Sequence, residues 1–140
     1  MSGSAVAEHL LDFASPPDDV NAVHDFLAAV WGSEPSVGPE DRMAFELALV
    51  ELASNVVEHA GGGGRVACSL ALAVSADGLE ARLTDDGRPA DVDVAGAALP
   101  DASAESGRGL ALVGMVVDEF RYERADDRNR WTVRRGRSAV

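Results

Sequence analysis

The chain has 140 residues, 46% of them hydrophobic, the length and composition of one globular domain with its own core. Its 24 acidic and 12 basic side chains leave a net charge of −12, a field that repels nucleic acid. Every basic residue is an arginine, and the absence of lysine excludes a P-loop, a eukaryotic-type protein kinase and Schiff-base chemistry, each of which needs a lysine amine.

No apolar run approaches the roughly 20 residues needed to cross a bilayer, so no membrane span is expected. Met1–Ala7 has neither a basic nor an apolar signal region and reads as a flexible N-terminus before a single domain over residues 8–137. Cys68 is the only cysteine and sits in an apolar run, which reads as a small buried hydrophobe in a reducing, cytoplasmic setting.

In chain order, Glu8–Phe13 reads as a short strand. Pro16 and Pro17 open a helix with Asp18 and Asp19 in its first turn, and Val20, Val23, Phe26, Leu27 and Val30 mark its apolar face. The segment Gly32–Gly38 breaks that helix. Pro39 starts a second, in which Phe45, Ala48, Leu49, Leu52, Ala53 and Val56 keep helical spacing until Gly61–Gly64 ends it. Two strands follow, Arg65–Val74 and Leu79–Thr84, with the Asp77-Gly78 pair as the hairpin signal. Asp85–Ser106 reads as a loop containing at most one helical turn, and Gly109–Val117 as an apolar helix. Glu119–Arg124 and Arg130–Arg135 form a last strand pair, turned by Ala125–Asn129. Seven of the arginines lie in residues 121–140, which makes this hairpin either a solvated element or a docking surface for an acidic partner. Short turns between strands and helices clustered apart from them predict an α+β two-layer sandwich, with a mainly antiparallel sheet covered on one face by helices.

Three clusters carry polar chemistry. Glu51, Asn55 and His59 fall at i, i+4 and i+8 on the second helix, beside its apolar face. A carboxylate there can take a proton, and an amide oxygen suits a hard cation; the same stripe also describes a solvated helix face. Asp85-Asp86-Gly87-Arg88-Pro89 follows a strand, where an aspartate can accept from an exocyclic amine, and equally where ordinary turns occur. Gly107-Arg108-Gly109-Leu110 joins the polar loop to the apolar helix, where backbone N–H groups can approach a phosphate.

In this order the clusters resemble the Bergerat-type ATP-binding fold shared by gyrase, the ninety-kilodalton heat-shock chaperone, histidine kinases and the mismatch-repair ATPases. The match is closest to the stand-alone anti-sigma factor serine/threonine kinases of bacteria, carried by Glu51–Ala60, Asp85–Pro89 and Gly107–Tyr122. The resemblance implies that Glu51 is the general base for a partner's hydroxyl and that Asn55 ligates Mg²⁺ on the ATP phosphates. It implies that Asp85 binds the adenine amine with Gly87 allowing close approach, and that Gly107, Arg108, Gly109 and Leu110 form the phosphate-side lid and helix start. Thr132 is a looser match to a threonine that some relatives place near adenine. Ala90 stands where an aromatic residue often follows the Asp-x-Gly-x-Pro motif.

The activity so implied is an ATP-dependent protein kinase that phosphorylates an anti-anti-sigma antagonist protein and sequesters a sigma factor, as a homodimer. It involves no direct contact with nucleic acid or membrane. An ATP-gated regulatory binding module without significant kinase activity is the alternative. The catalytic piece of a histidine kinase fits less well, because no helical phospho-acceptor segment precedes the domain.

Overall fold

A computed structural model describes residues 6–59, 64–90 and 105–138, giving the backbone alone at residues 59 and 105–108. The elements are β1 (Ala7–Ser15), α1 (Val20–Ser33), α2 (Pro39–His59), β2 (Val66–Val74), β3 (Gly78–Asp85), α3 (Glu105–Val116), β4 (Glu119–Ala125) and β5 (Arg128–Gly136). The strands form one sheet in the order β1-β2-β3-β5-β4, with every neighbouring pair antiparallel. The fold is the α+β sandwich that the residue pattern predicts.

Alternation decides which face of the sheet is covered. Val66, Cys68, Leu70, Leu72 and Val74 of β2 are buried, as are Leu79, Ala81 and Leu83 of β3 and Trp131 and Val133 of β5. Against them lie Phe45, Ala48, Leu49, Leu52, Ala53 and Val56 of α2, the six positions picked out by helical spacing. α1 adds Val23, Leu27, Val30 and Trp31, and α3 adds Leu110 and Val113. The register puts Leu10, Ala71, Arg82, Thr132 and Arg121 in one row on the opposite face, which no helix covers among the described residues.

The structure lengthens β1 to Ala7–Ser15 and differs from the sequence reading at three further places that bear on the fold. Pro16 and Pro17 form the turn before α1, and Asp19 is its N-cap: the backbone there is extended, and Asp19 Oδ1 accepts from Asn21 N–H at 2.9 Å. An Asp side chain satisfies an orphan N–H better from the cap than from inside the helix. α3 begins at Glu105, four residues earlier than the apolar pattern suggests, so Gly107 and Gly109 lie within it. The last hairpin turns on two residues instead of five, Asp126 (φ 54°) and Asp127 (φ 59°), with Ala125 paired to Arg128. Aspartate tolerates this left-handed geometry, which matches the twist of the flanking strands.

The end of β5 is clasped to the start of α2. Asp41, 2% exposed, accepts from Arg135 Nε at 3.0 Å, from Ser138 N–H at 2.8 Å and from Ser138 Oγ at 3.0 Å. Burial works against its charge, but these donors and the Arg135 guanidinium outweigh it and hold the carboxyl below its ordinary range. Among the described residues, no helix is long and apolar enough to cross a membrane.

Candidate functional site

α2 carries Glu51 and Asn55 on one side, four residues apart, both half-buried at the edge of its core face. His59 ends α2, and its side chain lies outside the described residues. α3 packs along α2 so closely at Gly109 that a Cβ added there would stand 3.1 Å from Glu51 Oε2. The glycine therefore serves close approach: a bare backbone lets the carboxylate sit against the second turn of α3. Leu110, the next residue, is 3% exposed and anchors α3 in the core. Gly107 lies in the first turn of α3, while the side chain of Arg108 and the expected loop over residues 91–104 lie outside the described residues.

Asp85 ends β3, where the register sets it between Cys68 of β2 and Asn129 of β5. It is 1% exposed, and among the described residues three donors reach its carboxylate. Oδ1 accepts from Gly87 N–H at 2.9 Å and from Asn129 Nδ2 at 2.8 Å, and Oδ2 accepts from Trp131 Nε1 at 3.3 Å. Gly87 thus closes a tight turn on the carboxylate that precedes it. Asp86 acts on the neighbouring strand instead. Its Oδ1 accepts from Ala67 N–H at 2.8 Å and its own N–H donates to Ala67 O at 3.2 Å, extending the β2–β3 ladder by one residue. The two adjacent aspartates are therefore separated by role, one buried at the end of β3 and one closing the sheet.

The turn after Asp85 is tied to the last hairpin. Asn129, 1% exposed, also donates through Nδ2 to Arg88 O at 2.8 Å, and its Oδ1 accepts from Tyr122 Oη at 2.5 Å and Arg124 Nη1 at 3.1 Å. Tyr122 Oη accepts from Ala90 N–H at 3.0 Å, and Arg124 Nη1 donates to Gly87 O at 2.7 Å. The Tyr122 ring leans on Trp131 with centroids 4.5 Å apart, and Phe120 stacks on Trp131 from 6.2 Å. Tyr122, Arg124, Asn129 and Trp131 surround Asp85 and its turn, and motif reading gives none of them a role there. Counting alternation back from Trp131 through a two-residue turn would have placed Asn129 on the inner face.

Thr132 does not join this cluster. It lies on the other face of the sheet and lines an open groove with Arg82, Arg121 and Arg130; Asn129 and Trp131 are the β5 residues that meet Asp85. Cys68 is buried as expected; burial, with the negative charges of Asp85 and Asp86 behind it, pushes its thiol up to about 12. That thiol is not a nucleophile at neutral pH.

Among the described residues, no three His, Cys, Asp or Glu side chains cluster as a metal cage. Asn55 suits a hard cation that arrives with phosphates and keeps most of its own ligands, which is how Mg²⁺ is usually held, while Glu51 beside it can take a proton. Asn55 offers one neutral oxygen toward such an ion. The site thus presents a buried carboxylate at a strand end and a carboxylate and an amide on a helix. A second helix lies against that carboxylate, its first N–H groups without intrahelical partners.

Compared with protein families, residues 13–135 match the histidine kinase-like ATPase domain. No curated protein matches the chain.

Proposed function

The chain belongs to the family of histidine kinase-like ATPase domains, and from that premise we propose that it is an ATP-dependent serine/threonine protein kinase acting as an anti-sigma factor. It phosphorylates an anti-anti-sigma antagonist protein, sequesters a sigma factor and works as a cytoplasmic homodimer. The observation that carries the catalytic part is the contact between Glu51 and Gly109. It brings a carboxylate within about one turn of the orphan N–H groups at the start of α3, where a phosphate is favoured.

In this reading the adenine amine donates to Asp85 and the phosphates reach the first turn of α3, at Gly107 and Arg108. Glu51 takes the proton of a serine or threonine hydroxyl as its oxygen attacks the γ-phosphorus. The bond from that phosphorus to the β–γ bridging oxygen breaks, ADP leaves with the electron pair, and the proton stays on Glu51. Mg²⁺, which Asn55 would hold, supplies charge neutralisation on the phosphates. Charge is thus met by metal and backbone, so the absence of lysine is compatible with the chemistry.

Incubation with ATP, Mg²⁺ and the cognate antagonist should yield phosphoserine or phosphothreonine on the antagonist. Glu51→Ala should abolish transfer while ATP still binds. Transfer that survives in Glu51→Ala sinks the role given to Glu51. ATP left intact with the cognate antagonist, alongside nucleotide-dependent binding of that partner, would mean an ATP-gated binding module instead.

A further inference from the structure

The geometry points to Asn129 as a positioning residue for base recognition: it sets the Asp85 carboxylate so that the second acceptor position of Oδ2, beside Trp131, is left for the amine of the base. This rests on the reading that a nucleotide base sits at Asp85. An amide has two N–H bonds and two acceptor positions, and all four are used here: Nδ2 on Asp85 Oδ1 and Arg88 O, Oδ1 on Tyr122 and Arg124. The orientation of the amide is dictated by its neighbours, because the reverse would set NH₂ against the Arg124 guanidinium and an oxygen against the Asp85 carboxylate. With no bond to spare and 1% exposure, Asn129 acts only through what it holds.

What it holds is the base site on two sides. Its bond to Asp85 Oδ1, with that from Gly87 N–H, engages this oxygen fully and leaves Oδ2, whose contact to Trp131 Nε1 is the longest of the three at 3.3 Å. Its bond to Arg88 O fixes the turn that follows, and Tyr122 passes the same restraint on to Ala90 N–H. Without Asn129 the carboxylate keeps only Gly87 N–H and the longer Trp131 bond, so its direction is less firmly set. The loss should then fall on the one interaction that depends on carboxylate direction, the hydrogen bond from the base amine.

The test compares two ligands with Mg²⁺ present: ATP, and purine riboside triphosphate, which lacks the 6-amino group. In the unaltered protein ATP should bind at least about tenfold more tightly, the size expected for a hydrogen bond to a buried carboxylate. In Asn129→Ala, with folding checked by a cooperative melt, ATP should weaken to the level of the analogue while the analogue's own Kd stays where it was. If Asn129→Ala does not fold, Tyr122→Phe, which keeps the ring on Trp131 and removes only the hydroxyl, should reduce the ATP preference about threefold. Full preference for ATP in whichever variant folds, or equal weakening of both ligands, overturns the assignment of Asn129 alone. Failure of the unaltered protein to bind either ligand, or to tell them apart, overturns the Asp85 reading and this one with it.

Discussion

Gly109→Ala should separate stability from catalysis, because the two respond to the new methyl group with opposite signs. Gly109 lies inside α3, and a helical alanine is favoured over glycine by about 0.5–1 kcal/mol. Among the described residues, the only atoms near the new Cβ are in the Glu51 carboxyl group, Oε2 at 3.1 Å and Cδ at 3.8 Å. That group is the far end of a flexible, half-buried side chain, so it can yield by a few tenths of an ångström and most of the helical gain should survive. For a chain of this size the melting midpoint should rise by about 1–3 °C. A general base works only within a narrow geometry, and a displacement of about 1 Å can cost about 100-fold, so a shift of a few tenths should lower kcat about three- to tenfold. ATP affinity, which does not depend on the Glu51 carboxylate, should hold. A thermal melt, a nucleotide titration and a transfer assay on the same preparation provide the three readings. An unchanged kcat would mean that Glu51 does not work from the position in which Gly109 allows it to rest. A lowered midpoint would mean that the contact does not yield.

Asp41→Asn should lower stability by about 2 kcal/mol at neutral pH, through loss of charge-assisted bonds to Arg135 and Ser138, as read from urea unfolding. The Asp41 folded pKa is lowered, so its contribution is complete above its unfolded value of about 3.9 and fades as pH falls through the folded value; the gap between the two proteins should narrow below about pH 4. Cys68, buried and with its thiol pushed up to about 12, should resist a disulfide reagent at pH 8 in the folded protein and react promptly in denaturant. Fast labelling of the folded chain would contradict the packing of β2.

The fold was legible because its elements obey one period each. Helical spacing from Phe45 to Val56 marks the buried face of α2, and alternation marks β2 and β3. Where a residue's preference was outvoted by its neighbours, the boundary moved. Glycine disfavours a helix interior, so the pattern suggests that α3 starts only at Gly109; the helix instead runs through that glycine from Glu105, packed on α2, and the same packing sets Gly109 against Glu51.

The candidate site was legible in proportion to how far each residue acts alone. Glu51, Asn55 and Asp85 stand at positions that one helix or one strand end defines, and their types announce carboxylate and amide chemistry. Asn129 could not be found that way. Between Arg128 and Arg130, after two aspartates, it looks like a turn residue, and a five-residue turn would have left it in solvent. Only a two-residue turn puts it in β5, and only the antiparallel register then sets it opposite Asp85. Forty-four residues separate the two in sequence, and the 2.8 Å bond between them is a product of sheet topology. A residue that acts by orienting another leaves its signal in pairing, so the turn geometry of the last hairpin belongs to the proposed base site as much as Asp85 does.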